Sequence, residues 1–221
     1  MSSFSESLFK TTPVVGILRG YTVKQVMQIA EVYADAGFTN LEITMNTPNA
    51  LQIIEELART FKTQLNIGAG TVLDAKQVDA VVAVGGQFIV SPVVDMAVIA
   101  HCVAKAVPIF PGAYSPTEIY TASKAGARMV KVFPATQLGP KYIADVLAPL
   151  DQIELMPTAG VTIDNLSPFA QAGAKAFGMG GNLFKPDLIA AEDWLGLKAH
   201  LVHFKEKLEQ AFNSIKWYCS C

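Results

Sequence analysis

Cysteine is too scarce in this chain to support a disulfide framework or a zinc site. Cys102 lies in an apolar helical run typical of a core residue, while Cys219 and Cys221 form a C-terminal Cys-Ser-Cys motif. That motif supplies too few ligands for zinc and comes too late in the chain to staple a fold. We interpret residues 214–221 as a flexible tail.

Histidine is equally scarce, and His101, His200 and His203 all fall in helical stretches away from the predicted strand ends. His200 and His203 are three positions apart, but no third ligand accompanies them on that helix. The sequence therefore predicts no metal site, and metal-assisted hydrolysis lacks its ligands.

Charge is also sparse, with charged residues at 16% of the chain and a formal net charge of -2. Because no basic stripe is present, we expect no nucleic-acid partner. A hydrophobic content of 51% instead indicates a large core or extensive subunit contacts. The first residues lack the basic and apolar regions of a signal peptide, and every apolar stretch is interrupted before about 18 residues. We therefore expect a cytoplasmic protein with no membrane partner.

Short apolar segments alternate along the chain with amphipathic helical stretches. The predicted strands are 13–20, 40–45, 66–72, 88–92, 107–112, 129–134, 154–160 and 176–181, and the predicted helices are 22–36, 49–61, 74–84, 95–106, 115–125, 164–172 and about 191–212. This alternation predicts an α/β protein with a parallel sheet, and eight repeats predict closure into a (β/α)8 TIM barrel.

A length of 221 residues suits one such barrel, so we predict a single domain over 1–221, with residues 1–12 as a lead-in. The main alternative is an open doubly wound sheet. The Gly-x-Gly-x-x-Gly fingerprint of a dinucleotide-binding fold is missing after the first predicted strand, so the sequence favours the closed barrel over this alternative.

The sixth predicted strand contains a single ammonium, Lys131, within an apolar run. A charge buried there costs several kcal/mol unless it is paired, solvated or removed. Burial lowers the pKa of a lysine and frees its lone pair to form an imine with a ketone, whereas the alternative is a lysine that reaches water. Strand alternation places Lys131 on the face of Met129 and Phe133, opposite Val130 and Val132.

Two other charged residues, Glu42 and Arg19, are predicted at the carboxyl ends of strands, where barrels carry their chemistry. Glu42 beside Lys131 is either a structural ion pair or an acid/base group poised by its surroundings. Arg19 suits a carboxylate or a phosphate, and its alternative role is a salt bridge at the rim. Glycine clusters follow strands seven and eight, where many barrels bind phosphate, although glycine also serves turns.

In combination these motifs resemble the 2-keto-3-deoxy-6-phosphogluconate / 4-hydroxy-2-oxoglutarate aldolase family over about residues 14–184. The resemblance is carried by Leu18-Arg19, Glu42-Ile43-Thr44, Gly68-Ala69-Gly70-Thr71-Val72, Phe88-Ile89-Val90-Ser91-Pro92, Pro111-Gly112 followed by Pro116-Thr117-Glu118, and Lys131-Val132-Phe133-Pro134-Ala135. It implies a homotrimeric barrel and a class I aldolase that needs neither a metal nor a cofactor.

The resemblance also implies roles for individual residues. Lys131 would be the Schiff-base lysine and Glu42 the general acid/base, with Arg19, Thr71 and Pro92 at the carboxylate of the keto acid. The distal or phosphate end of the substrate would be bound by Asn46, Thr158, Ala159, Gly160, Gly180, Gly181 and Asn182. The products would be pyruvate and an aldehyde, either glyceraldehyde 3-phosphate or glyoxylate.

Three positions depart from the family pattern. Ala159 stands where many members have glycine, Asn182 where many have serine, and Asn46 replaces an arginine of gluconate-type enzymes. Segments 42–48 and 139–143 look closer to the branch that acts on 2-keto-3-deoxy-6-phosphogalactonate. All three changes lie toward the distal end of the substrate, so they bear on its identity and phosphorylation and leave the lysine chemistry alone.

Two other functions are alternatives to the aldolase hypothesis. One is a different phosphate-binding barrel enzyme, such as an isomerase or a thiamin-phosphate-type synthase, which would use the same loops without an imine. The other is a non-catalytic barrel that binds a sugar acid, which the changes at Ala159 and Asn182 make conceivable.

Overall fold

The computed structural model describes residues 3–216 and contains a ring of parallel strands alternating with helices. The strands are β1 (Val14–Leu18), β2 (Asn40–Thr44), β3 (Asn66–Gly70), β4 (Phe88–Ser91), β5 (Ile109–Ala113), β6 (Val130–Val132), β7 (Leu155–Pro157) and β8 (Phe177–Met179). They pair in the order β7-β6-β5-β4-β3-β2-β1-β8, and a parallel bridge between Thr158 and Gly178 joins the two ends. The predicted (β/α)8 barrel is confirmed.

The helices are α1 (Glu6–Thr11), α2 (Val23–Asp35), α3 (Ala50–Thr60), α4 (Ala75–Ala83), α5 (Met96–Ala104), α6 (Pro116–Lys124), α7 (Gly139–Leu147), α8 (Leu166–Gln171), α9 (Gly181–Phe184), α10 (Pro186–Ala190) and α11 (Trp194–Lys216). Side chains cap the predicted starts of α2 and α6, where Thr22 and Ser115 each form a capping box. The sequence patterns did not predict α1, α7, α9 and α10.

The last helix differs from its prediction at both ends. It begins at Trp194 and continues to Lys216, so residues 214–216 of the predicted tail are helical. Cys219 and Cys221, also assigned to that tail, lie outside the described residues. Among residues 3–216, no helix is long and apolar enough to cross a membrane, and a cytoplasmic location stays a prediction.

Two apolar layers separate the inside of the barrel from its helical coat. Inward-facing side chains form one cluster of Val15, Phe88, Val90, Phe110, Met129, Met156 and Ala176. The alternate strand positions, among them Val130 and Val132, pack outward against the helices. Toward the amino-terminal end, apolar side chains fill most of the barrel around the buried and hydrogen-bonded Asn40 and Asn66. The polar groups Glu42 and Lys131 lie nearer its carboxyl-terminal end.

Helix α1 closes the amino-terminal mouth of the barrel. Phe9 is buried in the inner cluster, with its ring centroid 5.6 Å from that of Phe110. Arg128 holds the helix in place, donating to both carboxylate oxygens of Glu6 at 2.7 and 2.9 Å and forming an ion pair with Glu154. The segment predicted as a lead-in thus contributes to the core, and it leaves the carboxyl-terminal mouth as the open one.

Candidate active site

Lys131 points into the barrel from β6. Its Nζ lies 4.6 Å from the centroid of the Phe133 ring, and the residue is only 6% exposed. Burial lowers the pKa of this amine, Glu42 acts in the opposite direction, and Arg19 lowers the pKa further. The predicted orientation of Lys131 is confirmed, since Val130 and Val132 lie in the outer layer.

Glu42 enters the barrel from β2 and is only 2% exposed. Burial raises the pKa of its carboxyl group to about 7, against the lowering effects of Lys131 and Arg19. Its Oε2 is buried, and no described protein group donates a hydrogen bond to it. A Cβ at Gly70 would lie 2.2 Å from Oε1 of Glu42, so glycine at that position makes room for the carboxyl group.

The two groups face each other across the barrel axis. Strands β2 and β6 are separated by three strands on each side of the ring, so their inward side chains approach from opposite walls. No ion pair between Glu42 and Lys131 occurs among the described residues, although each influences the pKa of the other. A structural salt bridge between Glu42 and Lys131 is thus not seen among residues 3–216, and the acid/base role of Glu42 stays a prediction.

A cavity of about 360 Å³ opens above this pair at the carboxyl ends of the strands. Of the predicted site residues, it is lined by Arg19, Glu42, Thr71, Pro92, Lys131, Thr158, Ala159, Gly160, Gly180, Gly181 and Asn182. Asn46 is exposed in the turn after β2 and does not line the cavity. A second cavity, of about 380 Å³, lies between α1 and α11 at the other end of the barrel and contains none of the predicted site residues.

Several residues in the cavity wall had not been assigned to the site from sequence: Ile17, Phe133, Val161, Gly178 and Met179. For Phe133 a signal existed, because strand alternation placed it on the face of Lys131. Gly178 is explained by packing, since a Cβ there would lie 2.3 Å from Oγ1 of Thr158. The close approach lets β7 and β8 meet and complete the ring.

The loops after β7 and β8 form one wall of the cavity and are tied to each other. Nδ2 of Asn182 donates to the carbonyl oxygen of Val161 at 2.9 Å, and Nε2 of His200 lies 3.1 Å from the carbonyl oxygen of Asn182. The side-chain amide of Asn182 is thus already engaged in joining the loop after β7 to helix α9, which follows β8. Any anion at this wall would meet mainly backbone groups of Gly160, Gly180 and Gly181.

Two non-glycine residues in the cavity wall adopt left-handed backbone conformations. Thr71 has φ of 58° and Ala159 has φ of 67°. Such conformations cost about 1–3 kcal/mol for a residue with a Cβ and often accumulate at functional sites. At position 159 this explains the glycine of the family pattern, because glycine has no Cβ to clash.

Comparison with known proteins agrees with these features. The KDPG and KHG aldolase family model matches residues 5–199. A probable 2-dehydro-3-deoxy-6-phosphogalactonate aldolase of Rhizobium meliloti is 36% identical over 181 residues, which is 81% of this chain and 85% of that protein. A 2-dehydro-3-deoxy-phosphogluconate aldolase of Treponema pallidum is 35% identical over 84% of this chain and 87% of that protein.

Similarity extends to a solved structure and fixes the family. The solved structure named "Native KDPGal structure" superposes on this chain with a TM-score of 0.86 at 32% sequence identity. The match covers 96% of this chain and 100% of that chain. No cluster of three or more His, Cys, Asp or Glu side chains suited to a metal ion occurs within residues 3–216. With these matches, the chain belongs to the KDPG and KHG aldolase family and is a carbon-carbon lyase.

Proposed function

We propose that this protein is a class I aldolase that cleaves a 2-keto-3-deoxy-6-phosphogluconate-type acid to pyruvate and glyceraldehyde 3-phosphate. The observation that carries the proposal is the buried amine of Lys131 facing the buried carboxyl group of Glu42 beneath an open cavity. A lowered lysine pKa is what imine formation requires, since only the neutral amine attacks a ketone. A 4-hydroxy-2-oxoglutarate substrate would react in the same way and release glyoxylate.

The reaction begins when Nζ of Lys131 attacks C2 of the keto acid and the carbinolamine loses water to give an iminium. Glu42 accepts the proton of the C4 hydroxyl as the C3–C4 bond breaks. The electron pair of that bond moves into the iminium and forms an enamine, while C4 leaves as the aldehyde. Glu42 then returns its proton to C3, and one water molecule hydrolyses the iminium to release pyruvate and the free amine.

Residues on two sides of the cavity would orient the substrate by binding its two ends. Arg19, Thr71 and Pro92 would hold the carboxylate next to the reacting ketone, and the guanidinium supplies the positive charge for it. The loops carrying Gly160 and Gly180 would accept the phosphate through backbone N–H groups. Both ends of the substrate are then fixed while C2 lies over Lys131, which is the positional contribution to catalysis.

The named activity of one relative supports a second candidate substrate, 2-keto-3-deoxy-6-phosphogalactonate, which is the C4 epimer of the first. The Rhizobium meliloti relative is a probable phosphogalactonate aldolase, and the two acids differ only in the configuration at the carbon whose hydroxyl Glu42 deprotonates. A non-catalytic sugar-acid barrel and a synthase without an imine are disfavoured by family membership and by the amine poised beneath the cavity.

The imine is tested by adding borohydride to the protein in saturating pyruvate and mapping the modified peptide. We expect reductive labelling of Lys131 and none in Lys131→Arg, whose guanidinium forms no imine. A Lys131 peptide left unmodified in pyruvate would overturn the proposal. The substrate is then assigned from pyruvate release with both phosphorylated epimers, their unphosphorylated forms and 4-hydroxy-2-oxoglutarate, with the gluconate epimer expected to have the highest kcat/KM.

The proposal includes assembly into a homotrimer. Leu73, Val93, Met96 and Tyr114, here called the apolar rim, are 51%, 51%, 51% and 46% exposed. Leu73, Val93 and Tyr114 follow the adjacent strands β3, β4 and β5, so they emerge side by side from one arc of the barrel. Exposed apolar side chains clustered in this way are typical of a subunit interface.

A further inference from the structure

A pair of buried threonines lies behind the residue proposed to bind the substrate carboxylate. Oγ1 of Thr47, in the turn after β2, accepts a hydrogen bond from the backbone N–H of Gly20 at 3.0 Å. The same atom lies 3.0 Å from Oγ1 of Thr44, and the backbone N–H of Thr47 donates to the carbonyl oxygen of Thr44 at 2.9 Å. Thr44, Thr47 and Gly20 together form what we call the threonine clamp.

The threonine clamp joins the exits of two neighbouring strands. Gly20 follows Arg19 just after the end of β1, and Thr44 is the last residue of β2, two positions after Glu42. Thr44 and Thr47 are both buried, so the geometry of their hydroxyl groups is shielded from water. The contact between the two hydroxyl groups is buried, whereas the Gly20–Thr47 hydrogen bond is partly buried, because Gly20 is exposed.

Arg19 itself has few means of holding its position. Its side chain is on the exposed rim, and no hydrogen bond or ion pair to it is found among residues 3–216. Its charge nevertheless reaches the site, because it lowers the pKa of both Glu42 and Lys131. The backbone sets the direction in which the Arg19 side chain leaves the end of β1, and Gly20, with φ of 78°, is in a conformation that other residues rarely adopt.

We infer that Thr47 is a positioning residue, which fixes the backbone beside Arg19 so that the guanidinium is aimed at the carboxylate of the bound keto acid. The inference rests on the proposed function, because it assumes that Arg19 binds that carboxylate. Thr47 touches neither the substrate nor the reacting atoms. Since Thr44 belongs to the same strand as Glu42, the threonine clamp keeps the carboxylate-binding group and the acid/base group in one fixed relation.

The test replaces Thr47 by valine, which preserves the shape of the side chain but removes the acceptor for Gly20. Because this hydrogen bond is partly buried, its loss weakens the clamp without abolishing it. We therefore expect KM for the keto acid and the pyruvate concentration that half-saturates borohydride labelling to rise about three- to tenfold. kcat should fall less than KM rises, because Lys131 and Glu42 remain in place. Thr47→Ser retains the hydroxyl and should restore values close to wild type.

A double-mutant cycle with Arg19→Ala separates positioning from general loss of structure. Once the guanidinium is removed, adding Thr47→Val should change the pyruvate concentration that half-saturates borohydride labelling by less than about twofold. The inference would be overturned if Thr47→Val raised this concentration equally in the wild type and in Arg19→Ala, or if KM were unchanged in Thr47→Val. If Thr47→Val does not fold, Thr44→Val enters the same cycle with the same expectations. Absence of Lys131 labelling in the wild type would instead count against the proposed function.

Discussion

Glu42 and Lys131 approach each other inside the barrel, and burial shifts the pKa of each toward its neutral form. A carboxyl group with a pKa of about 7 is partly protonated at neutral pH, so it can accept a proton in one step and donate it in another. The neutral amine is the form that attacks a ketone. Desolvation in the same cavity thus raises the pKa of Glu42 and lowers the pKa of Lys131, which are the directions that the proposed reaction requires.

Replacing Glu42 by glutamine gives the first prediction at this scale. The amide keeps the volume but cannot exchange a proton, so we expect kcat for cleavage to fall about 100-fold or more, while borohydride still traps pyruvate on Lys131. In the wild type, the base form of Glu42 is populated as pH rises through about 7, so cleavage should increase across that range. This rise near pH 7 should vanish from the pH–rate profile of Glu42→Gln.

The lysine provides the internal control for that experiment. Removing the negative charge of Glu42 removes the interaction that raises the pKa of Lys131, so any titration of the amine should move to lower pH in the variant. A Glu42→Gln enzyme with near-normal turnover, or with the rise near pH 7 unchanged, would take the acid/base role away from Glu42.

Which site residues could be predicted from sequence depended on what positions them. Lys131 and Glu42 lie on strands, where alternation and the ends of a closed barrel determine the direction of a side chain. Asn46 lies in the turn after β2 and Asn182 lies in the short helix α9, and the directions of both side chains depend on tertiary contacts. Asn46 is exposed to solvent, and Nδ2 of Asn182 donates to the carbonyl oxygen of Val161. Thr47 gave no sequence signal, because its importance depends on a contact with Gly20, 27 positions away.

Among the elements, α1 shows how a short segment can complete a core. It contributes the aromatic ring of Phe9 to the inner cluster, and Phe4, just before the helix, packs against Phe88 with ring centroids 5.8 Å apart. Isolated helices of this length are marginal in water, and the segment has no extended amphipathic period that would mark it as part of the barrel. Its role therefore appears only when the barrel exists to receive it.

Replacing Phe9 by alanine should destabilise the fold strongly. Truncating a buried phenylalanine leaves a cavity and typically costs about 3–5 kcal/mol, so we expect a loss of that size in the free energy of unfolding measured with denaturant. Lys131 labelling should persist in the folded fraction, because the reactive groups are at the opposite mouth.

The matched control for this element is Leu195→Ala in α11, because Leu195 is 82% exposed and loses little on truncation. Its unfolding free energy should stay within about 0.5 kcal/mol of wild type. If Phe9→Ala behaved like Leu195→Ala, α1 would be an appended segment rather than part of the core.

At the scale of the whole molecule, the proposed subunit interface would account for both the scarcity of charge and the apolar rim. Charged residues make up only 16% of the chain. Within the apolar rim, Leu73 is two positions from Thr71 and Val93 directly follows Pro92, and both Thr71 and Pro92 line the cavity. Strand alternation predicted the barrel because each repeat carries its own periodic signal. Assembly has no such local signal, since Leu73, Val93 and Tyr114 are far apart in sequence and come to lie side by side only when β3, β4 and β5 are adjacent.

We expect the wild-type protein to have three times the 23.7 kDa mass of one chain in light scattering. Leu73→Glu combined with Met96→Glu would place two like charges in the proposed interface, where desolvation and repulsion oppose association, so this variant should be monomeric. Leu195→Glu, on a helix away from the apolar rim, should leave the mass of the assembly unchanged. A wild-type mass of one chain, or a double variant that stays trimeric, would contradict this interface, while labelling of Lys131 would report on the chemistry independently.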